Sequence, residues 1–354
     1  MKKKFLAGIL AGAMAFCSFA NFEAEAATRA EISAIKVSKS GNFKYWNKDA
    51  ASINALKDYM KDITKKGSKN YIPVEDRIAV FDMDGTFLCE TAPNYFDHML
   101  FVYRAAKDPN YNPPANEREF AKALDDSIHG KSDVKLESTA PHQAAVFSGM
   151  TLKELDDYVK DFMKTPVEGL SNLKWGESLY LPMVEVIKYL QANDFKVYVV
   201  SGTDRAIVRV LACDVLNIPT NQIIGTDVKI KSNNQGDKDG LKYTFVKGDY
   251  LIRGELVQKD LQMNKVYMIA REIGKQPVLA FGNSSGDASM LNYTINDNKY
   301  KALGFFVICD DTDREFGKPK RAVSDTNLAN NSGWIPISMR DDWKTIYGDN
   351  VVKE

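Results

Sequence analysis

The sequence predicts an α/β protein built on a doubly wound parallel sheet, with an inserted helical unit and a small β-hairpin insert. Three observations carry this. Short apolar runs at Ile78-Ala79-Val80, Val197-Tyr198-Val199-Val200 and Val278-Leu279-Ala280 read as buried strands. Each leads into a polar loop: Phe81-Asp82-Met83-Asp84-Gly85-Thr86, Ser201-Gly202-Thr203 and Gly282-Asn283-Ser284-Ser285-Gly286-Asp287. Helical stretches lie between them, and alternation of strands with helices points to parallel strands. Ligands then bind at the carboxyl ends of the strands, where Asp82, Ser201 and Asn283 should sit.

Taken in order, residues 1–26 read as a processing signal. Lys2-Lys3-Lys4 precede an apolar run over residues 5–20, and Ala24-Glu25-Ala26 offers a small-x-small cleavage site. The run is short for a membrane span, and Phe16 is too large for the position before a lipoprotein Cys17. Residues 27–45 are expected to be a mobile linker. Residues 49–65 form an amphipathic helix with Ile53, Leu56, Tyr59, Met60 and Ile63 on one stripe.

About 110 residues separate the first strand from the strand that ends in Ser201, far more than a crossover helix needs. They must hold an insertion. Its helical segments are 94–106, 117–127 and 151–163, the last opening with a Thr151/Glu154 capping box. Pro113-Pro114 and Pro141 mark linkers between them. Pro182 starts a helix returning to the core, and Thr203 is read as the cap of a helix ending near Leu216. In residues 226–255, Val228, Ile230, Tyr243, Phe245, Tyr250 and Ile252 alternate with polar residues around a loop at 233–240, the pattern of a hairpin. The stretch after Asp311, with Trp334 and Trp343, completes the core. The expected division is a signal at 1–26, a core of 27–87 and 181–354, and an inserted helical domain at 88–180.

Composition narrows the function. The 354 residues are 44% hydrophobic and 27% charged, ordinary globular values. Basic and acidic residues balance at 47 each, so nothing argues for nucleic acid as a partner. Removing residues 1–26 takes three lysines and two glutamates, leaving 44 against 45. With no second long apolar run, no stable membrane insertion is expected after signal cleavage, and the mature protein should be exported and soluble. Cys89, Cys213 and Cys309 are odd in number and scattered, which is no disulfide framework. They read as core residues. No feature speaks to oligomeric state.

Chemistry enters with the paired aspartates. An Asp at the end of a strand can attack phosphorus and form an aspartyl-phosphate. A second acid two residues on can protonate the leaving oxygen and then activate water. Gly85 permits the tight turn between them and the next segment. In order, Asp-x-Asp-Gly-Thr, Ser201, Lys265 and Gly-Asn-x-x-x-Asp resemble the four motifs of the haloacid dehalogenase superfamily of phosphohydrolases. The resemblance spans residues 76–310. It implies a Rossmann-like core, and the helical insertion is similar to that of the phosphoserine-phosphatase-like branch, where it forms a cap that controls water.

The resemblance also implies roles. Asp82 would be the nucleophile and Asp84 the acid and base. Ser201 and Lys265 would bind phosphate, with Thr86 and Gly202 beside them. Mg²⁺ is the implied metal, on Asp82, the Asp84 backbone carbonyl and the loop acid. Asn283 stands where the family often has Asp, so Asn283 and Asp287 are both candidate ligands. Lys259 is a rival to Lys265.

Glu90, Tyr95, Phe96 and His98 follow the first motif closely. A carboxylate with aromatic neighbours can hold an amine or a quaternary ammonium, while Tyr95 and Phe96 can equally be core of the insertion. All three histidines, His98, His129 and His142, fall in the insertion and are expected to be structural, leaving no core histidine for a Ser-His-Asp arrangement. The function expected is an exported, Mg²⁺-dependent phosphomonoesterase for small phosphate esters such as phosphocholine or phosphoserine. A phosphotransferase or phosphomutase on the same scaffold, and an exported binding protein with a decayed site, are the alternatives.

Overall fold

The computed structural model describes residues 26–354, so all but the last residue of the expected signal lies outside the described residues. The strands are β1 (Ile78–Phe81), β2 (Leu170–Ser171), β3 (Lys196–Asp204), β4 (Ile223–Ser232), β5 (Leu251–Gln258), β6 (Leu279–Gly282), β7 (Leu303–Ile308), β8 (Ile335–Ser338) and β9 (Val352–Lys353). Seven of them form one sheet in the order β5-β4-β3-β1-β6-β7-β8. Every neighbouring pair is parallel except β4 with β5. β2 and β9 make a separate antiparallel ribbon.

The sheet is covered on both faces, which is why β1 and β6 are buried throughout. The alternation of side chains sorts the core in two. Ala79, Phe81, Val199 and Phe281 pack with α2 (Ala51–Thr64), α7 (Leu181–Ala192) and α8 (Arg205–Leu216). Val80, Val200, Ala280 and Phe306 pack with α9 (Met263–Glu272), α10 (Ala288–Ile295) and α11 (Pro319–Asn331). Phe81, Phe281 and Phe305 stack across three adjacent strands, with ring centroids 4.2 and 4.9 Å apart. The expected doubly wound α/β sheet is present, and so is the hairpin, as β4 and β5, but its loop runs over 233–250 rather than 233–240, so Tyr243, Phe245 and Tyr250 lie in the loop and not in a strand.

The residues between β1 and β3 contain α3 (Phe96–Val102), α4 (Ala115–Ile128), α5 (Ala140–Val146) and α6 (Leu152–Phe162). Thr151 and Glu154 form the expected capping box on α6. α5 was not foreseen. Pro141, read as a linker residue, lies in its first turn, where a missing N–H costs nothing. Phe96 is fully buried against Phe162 and Trp175, so it is core of this insert. The insert is braced by the hairpin: Gly149 N donates to the Arg253 carbonyl and Arg253 N to the Met150 carbonyl, both at 2.9 Å.

Two further expectations are corrected. Thr203 does not cap α8; Asp204 does, accepting from Ala206 N. Residues 27–45 do not form an extended linker. They hold α1 (Arg29–Ala34), with a Thr28/Glu31 capping box and Ile32 fully buried. Arg29 donates to the Gly176 carbonyl at 2.6 Å and the Leu211 carbonyl at 3.0 Å. Its guanidinium thereby ties the segment to the insert and to α8 at once. Arg29→Ala should lower unfolding stability by about 1–3 kcal/mol, since two carbonyls lose a charged donor. Urea denaturation would check this, and an unchanged midpoint would show the segment to be loosely attached after all.

Candidate active site

The site is assembled where β1, β3 and β6 end. Asp82 N donates to the Phe281 carbonyl at 2.9 Å, which locks the first loop onto β6. Gly85 turns the chain with φ +75°, and a Cβ there would lie 1.9 Å from Asn283 Nδ2 and 2.6 Å from Glu90 Oε2. Only glycine lets those two side chains close over the loop. A cavity of about 310 Å³ opens above, walled by Asp82, Asp84, Gly202, Thr203, Asn283 and Asp287.

Lys265, in the first turn of α9, is fully buried beneath Asp82. Its Nζ donates to Asp82 Oδ1 at 2.6 Å, Asp287 Oδ1 at 2.7 Å and the Val200 carbonyl at 2.7 Å. Burial disfavours the ammonium, but Asp287 and Asp82 more than offset it and raise its pKa. Lys259 lines the cavity wall instead and makes no such contact. Thr86 Oγ1 donates to the other oxygen of Asp82 at 3.3 Å. Burial, then the Asp287 charge, push the Asp82 carboxyl up to about 6, with Lys265 pulling the other way.

Asp84 is different. Its Oδ2 accepts from Thr203 Oγ1 at 2.8 Å, while Oδ1 is buried without a hydrogen-bond partner. Burial, then Asp97 and Asp82, hold its carboxyl well above the usual carboxylate range. One acid thus leans towards the charged form and its neighbour towards the neutral one. That is the division of labour a nucleophile and a general acid require.

Asp287 secures the last loop. Oδ2 accepts from Asn283 N, Ser284 N and Ser284 Oγ at 3.1–3.2 Å, and Oδ1 is taken by Lys265. Both oxygens are therefore occupied, which suits Asp287 to positioning rather than to direct metal ligation. Ser201 is fully buried, its Oγ accepting from Thr203 N at 3.0 Å, and it does not line the cavity. Gly202 and Thr203 take that place.

On the insert side, Glu90 and Tyr95 both line the cavity, as do Asp97 and His98. Burial raises the Glu90 carboxyl to about 7, with Arg321, 3.3 Å away, opposing it. His98 stands edge-on to Tyr95 and bonds Thr139 Oγ1 at 3.0 Å, and burial lowers its pKa. It is therefore not remote from the site, unlike His129 and His142, which pair with Glu168 and Glu117. Sequence reasoning missed Asp97, Thr203 and Arg321. Thr203 carried a signal, a hydroxyl ending a strand, but was assigned to capping. Arg321 comes from α11 and carried none.

The wall chemistry suits a hard cation. Six carboxylates, from Asp82, Asp84, Glu90, Asp97, Glu137 and Asp287, face the cavity or its floor, and the buried Asp84 Oδ1 lacks a partner. No group of three His, Cys, Asp or Glu side chains among the described residues is spaced to hold a metal alone. A magnesium ion would draw on Asp82, the Asp84 backbone carbonyl, Asn283 and water, as an ion that keeps part of its hydration shell does.

Residues 79–292 match the haloacid dehalogenase-like hydrolases, over more than half of the chain. The chain belongs to that family. Within it, the chain is similar to phosphorylcholine phosphatase of Pseudomonas aeruginosa, 26% identical over 191 residues. The match takes in 49% of this chain and 55% of that protein, so the chain spans about half the length of this relative. Solved structures give a looser likeness. A conserved protein of unknown function from Anaerococcus prevotii aligns over 85% of this chain and 96% of its own, with 14% identity and a TM-score of 0.48. A phosphoserine phosphohydrolase-like protein from Francisella tularensis aligns over 73% and 94%, with 14% identity and a TM-score of 0.39.

Lys265→Met would leave Asp82 and Asp287 facing each other without their cation. Stability should fall by about 3–5 kcal/mol near neutral pH. Without Lys265 the Asp82 carboxyl, already raised by burial, rises further above its value in the unfolded chain. The folded state then binds more protons, so the loss should grow as pH rises from 5 to 8. Urea denaturation at the two pH values checks the sign; a loss that is larger at pH 5 would contradict it.

Proposed function

We propose that this hydrolase is a phosphomonoesterase working through an aspartyl-phosphate on Asp82, with the leaving group held against Glu90 and Tyr95. The pairing of a lysine-held Asp82 with an Asp84 that favours its proton, on one cavity wall, is the observation that carries this reading. An Asp82 oxygen attacks phosphorus as the bond to the leaving oxygen breaks. Asp84 gives its proton to that oxygen, and the alcohol departs. Asp84, now charged, takes a proton from water as the water attacks the phosphoryl group. Inorganic phosphate leaves and the Asp82 carboxylate is restored. Lys265 neutralises charge on Asp82 throughout, and Thr203 holds Asp84 in place. Mg²⁺ held by Asp82, the Asp84 carbonyl and Asn283 would supply positive charge to the phosphoryl oxygens.

The substrate class follows from the wall facing the catalytic pair. Glu90 and Asp97 are acidic, and Tyr95 adds an aromatic face. Such a wall suits an amine or quaternary ammonium on the alcohol. The likeness to a protein named phosphorylcholine phosphatase supports phosphocholine as a candidate, with phosphoserine beside it. The helical insert acts as a cap in this reading, since Asp97 and His98 of α3 and the Ser138-Thr139 segment line the cavity opposite the strand ends. The leader-like residues 1–26 support action outside the cytoplasm, in a periplasm, at a cell surface or beyond it.

Phosphate release from phosphocholine, phosphoserine and a neutral aryl phosphate, with Mg²⁺ and with chelator, tests the reading. Release should need the metal, and Asp82→Asn should reduce it by at least about 1,000-fold. The rate should climb as Asp82 ionises around pH 6 and decline at higher pH as Asp84 loses its proton. Glu90→Gln should raise KM for phosphocholine about tenfold and leave the aryl ester nearly unchanged. Equal turnover of all three esters would exclude an amine-reading wall, and full activity in Asp82→Asn would exclude the mechanism.

A further inference from the structure

The β4–β5 hairpin carries a surface that the catalytic chemistry does not use. β4 pairs with β3 only over Ile223, Ile224, Gly225 and Thr226. Beyond that it pairs with β5 alone, through Lys231↔Ile252 and Ser232↔Leu251. The hairpin therefore overhangs the edge of the sheet at which β3 delivers Ser201, the catalytic edge. No residue of the loop at its tip lines the catalytic cavity.

This loop has a defined shape. Asp249 accepts from Asn234 Nδ2 and Tyr243 OH at 2.7 Å and from Val246 N at 3.0 Å, and Asn233 Oδ1 accepts from Tyr250 N at 2.9 Å. Yet it presents large apolar side chains to solvent: Leu241 is 98% exposed, Phe245 56%, Val246 54%, Tyr250 53% and Leu251 42%. Single exposed apolar residues are ordinary. Five within eleven residues of an ordered loop form a patch of the kind that marks an interaction site.

The charges around the patch say what it fits. Residues 229–250 hold five lysines against three aspartates. Asp249 is turned to the donors above, and Asp239 accepts from Leu241 N. Lys238, Lys242 and Lys247 are exposed and interleave with the apolar residues. A second copy of this chain meeting the patch about a two-fold axis would set these lysines against their own images. An anionic lipid surface satisfies both parts: acyl chains take the apolar groups and headgroup phosphates take the lysines.

We infer that the tip of this hairpin is a peripheral membrane-contact surface for bilayers carrying anionic headgroups. Leu241, Phe245 and Val246 enter the headgroup boundary, and Lys238, Lys242 and Lys247 meet the phosphates. Because the hairpin overhangs the catalytic edge, docking holds the cavity mouth near the lipid surface.

Sedimentation of the full chain with vesicles tests this independently of any phosphatase activity. The vesicles are phosphatidylcholine alone, and phosphatidylcholine with about one-third phosphatidylglycerol. Partitioning should favour the anionic vesicles by about tenfold or more and weaken with salt. Leu241→Ser with Phe245→Ser should reduce it about tenfold or more, as should Lys238→Gln, Lys242→Gln and Lys247→Gln together with the apolar residues intact. All are exposed positions, and turnover of a soluble ester should stay unchanged. No sedimentation with either vesicle would overturn the inference, as would equal partitioning of wild type and variants. Self-association in solution that is lost in Leu241→Ser with Phe245→Ser would overturn it in favour of a contact between copies of the chain.

Discussion

The three strand ends that meet at the candidate site depend on one buried ammonium. Lys265 Nζ bonds Asp82 at the end of β1, the Val200 carbonyl in β3 and Asp287 after β6. A buried charge is tolerable only when paired and hydrogen-bonded. Here all three donors of the ammonium are used on three separate segments, so those segments cannot shift independently. The lysine rides on α9, and α9 is reached only after the chain has made the β4–β5 hairpin. The hairpin is thus part of the route by which the cation arrives under Asp82.

A second line of support runs from the insert to Asp84. Backbone bonds between Gly149, Met150 and Arg253 fasten the insert to β5. Arg253, almost wholly buried, pairs with Asp204. Asp204 caps α8, and its neighbour Thr203 holds Asp84. Asp84 is therefore connected, contact by contact, to the insert whose residues line the cavity. Such contiguity is a route by which movement of the insert can bear on the acid, and it would act through packed groups rather than through distance.

The core was legible in the sequence because its signals are local. Short apolar runs ending in Asp82, Ser201 and Asn283 can be read as strands, and the stripe from Ile53 to Ile63 as a helix, without knowing what they pack against. The two-residue spacing of Asp82 and Asp84 was legible for the same reason. What escaped depends on partners far apart in the chain. Nothing near Arg29 announces the carbonyls of Gly176 and Leu211, and nothing near Arg321 announces Glu90. Thr203 was misassigned because a hydroxyl before a helix is usually a cap, and only the fold shows that Asp204 has taken that role. Pro141 read as a breaker because a proline in a helix interior is one, whereas in a first turn it is not.

The charge balance of the cavity explains why its cations matter. A phosphate ester brings negative charge towards Asp82, Asp84, Glu90, Asp97 and Asp287, and like charges at close range oppose binding. Lys259 lines the wall and Arg321 stands 3.3 Å from Glu90, and three further features answer this. Lys265 cancels part of the charge from below, Asp84 favours its proton, and the burial of Glu90 raises its carboxyl to about 7. They do not answer it fully, and the unpartnered Asp84 Oδ1 marks where the site remains unsatisfied. A hard divalent cation would supply the missing charge at the phosphoryl end. At the Glu90 end, Arg321 already supplies part of it, and a positive leaving group would add to it. In the proposed function, this acidic wall is what would favour an ester that carries its own cation, with a metal ion completing the balance.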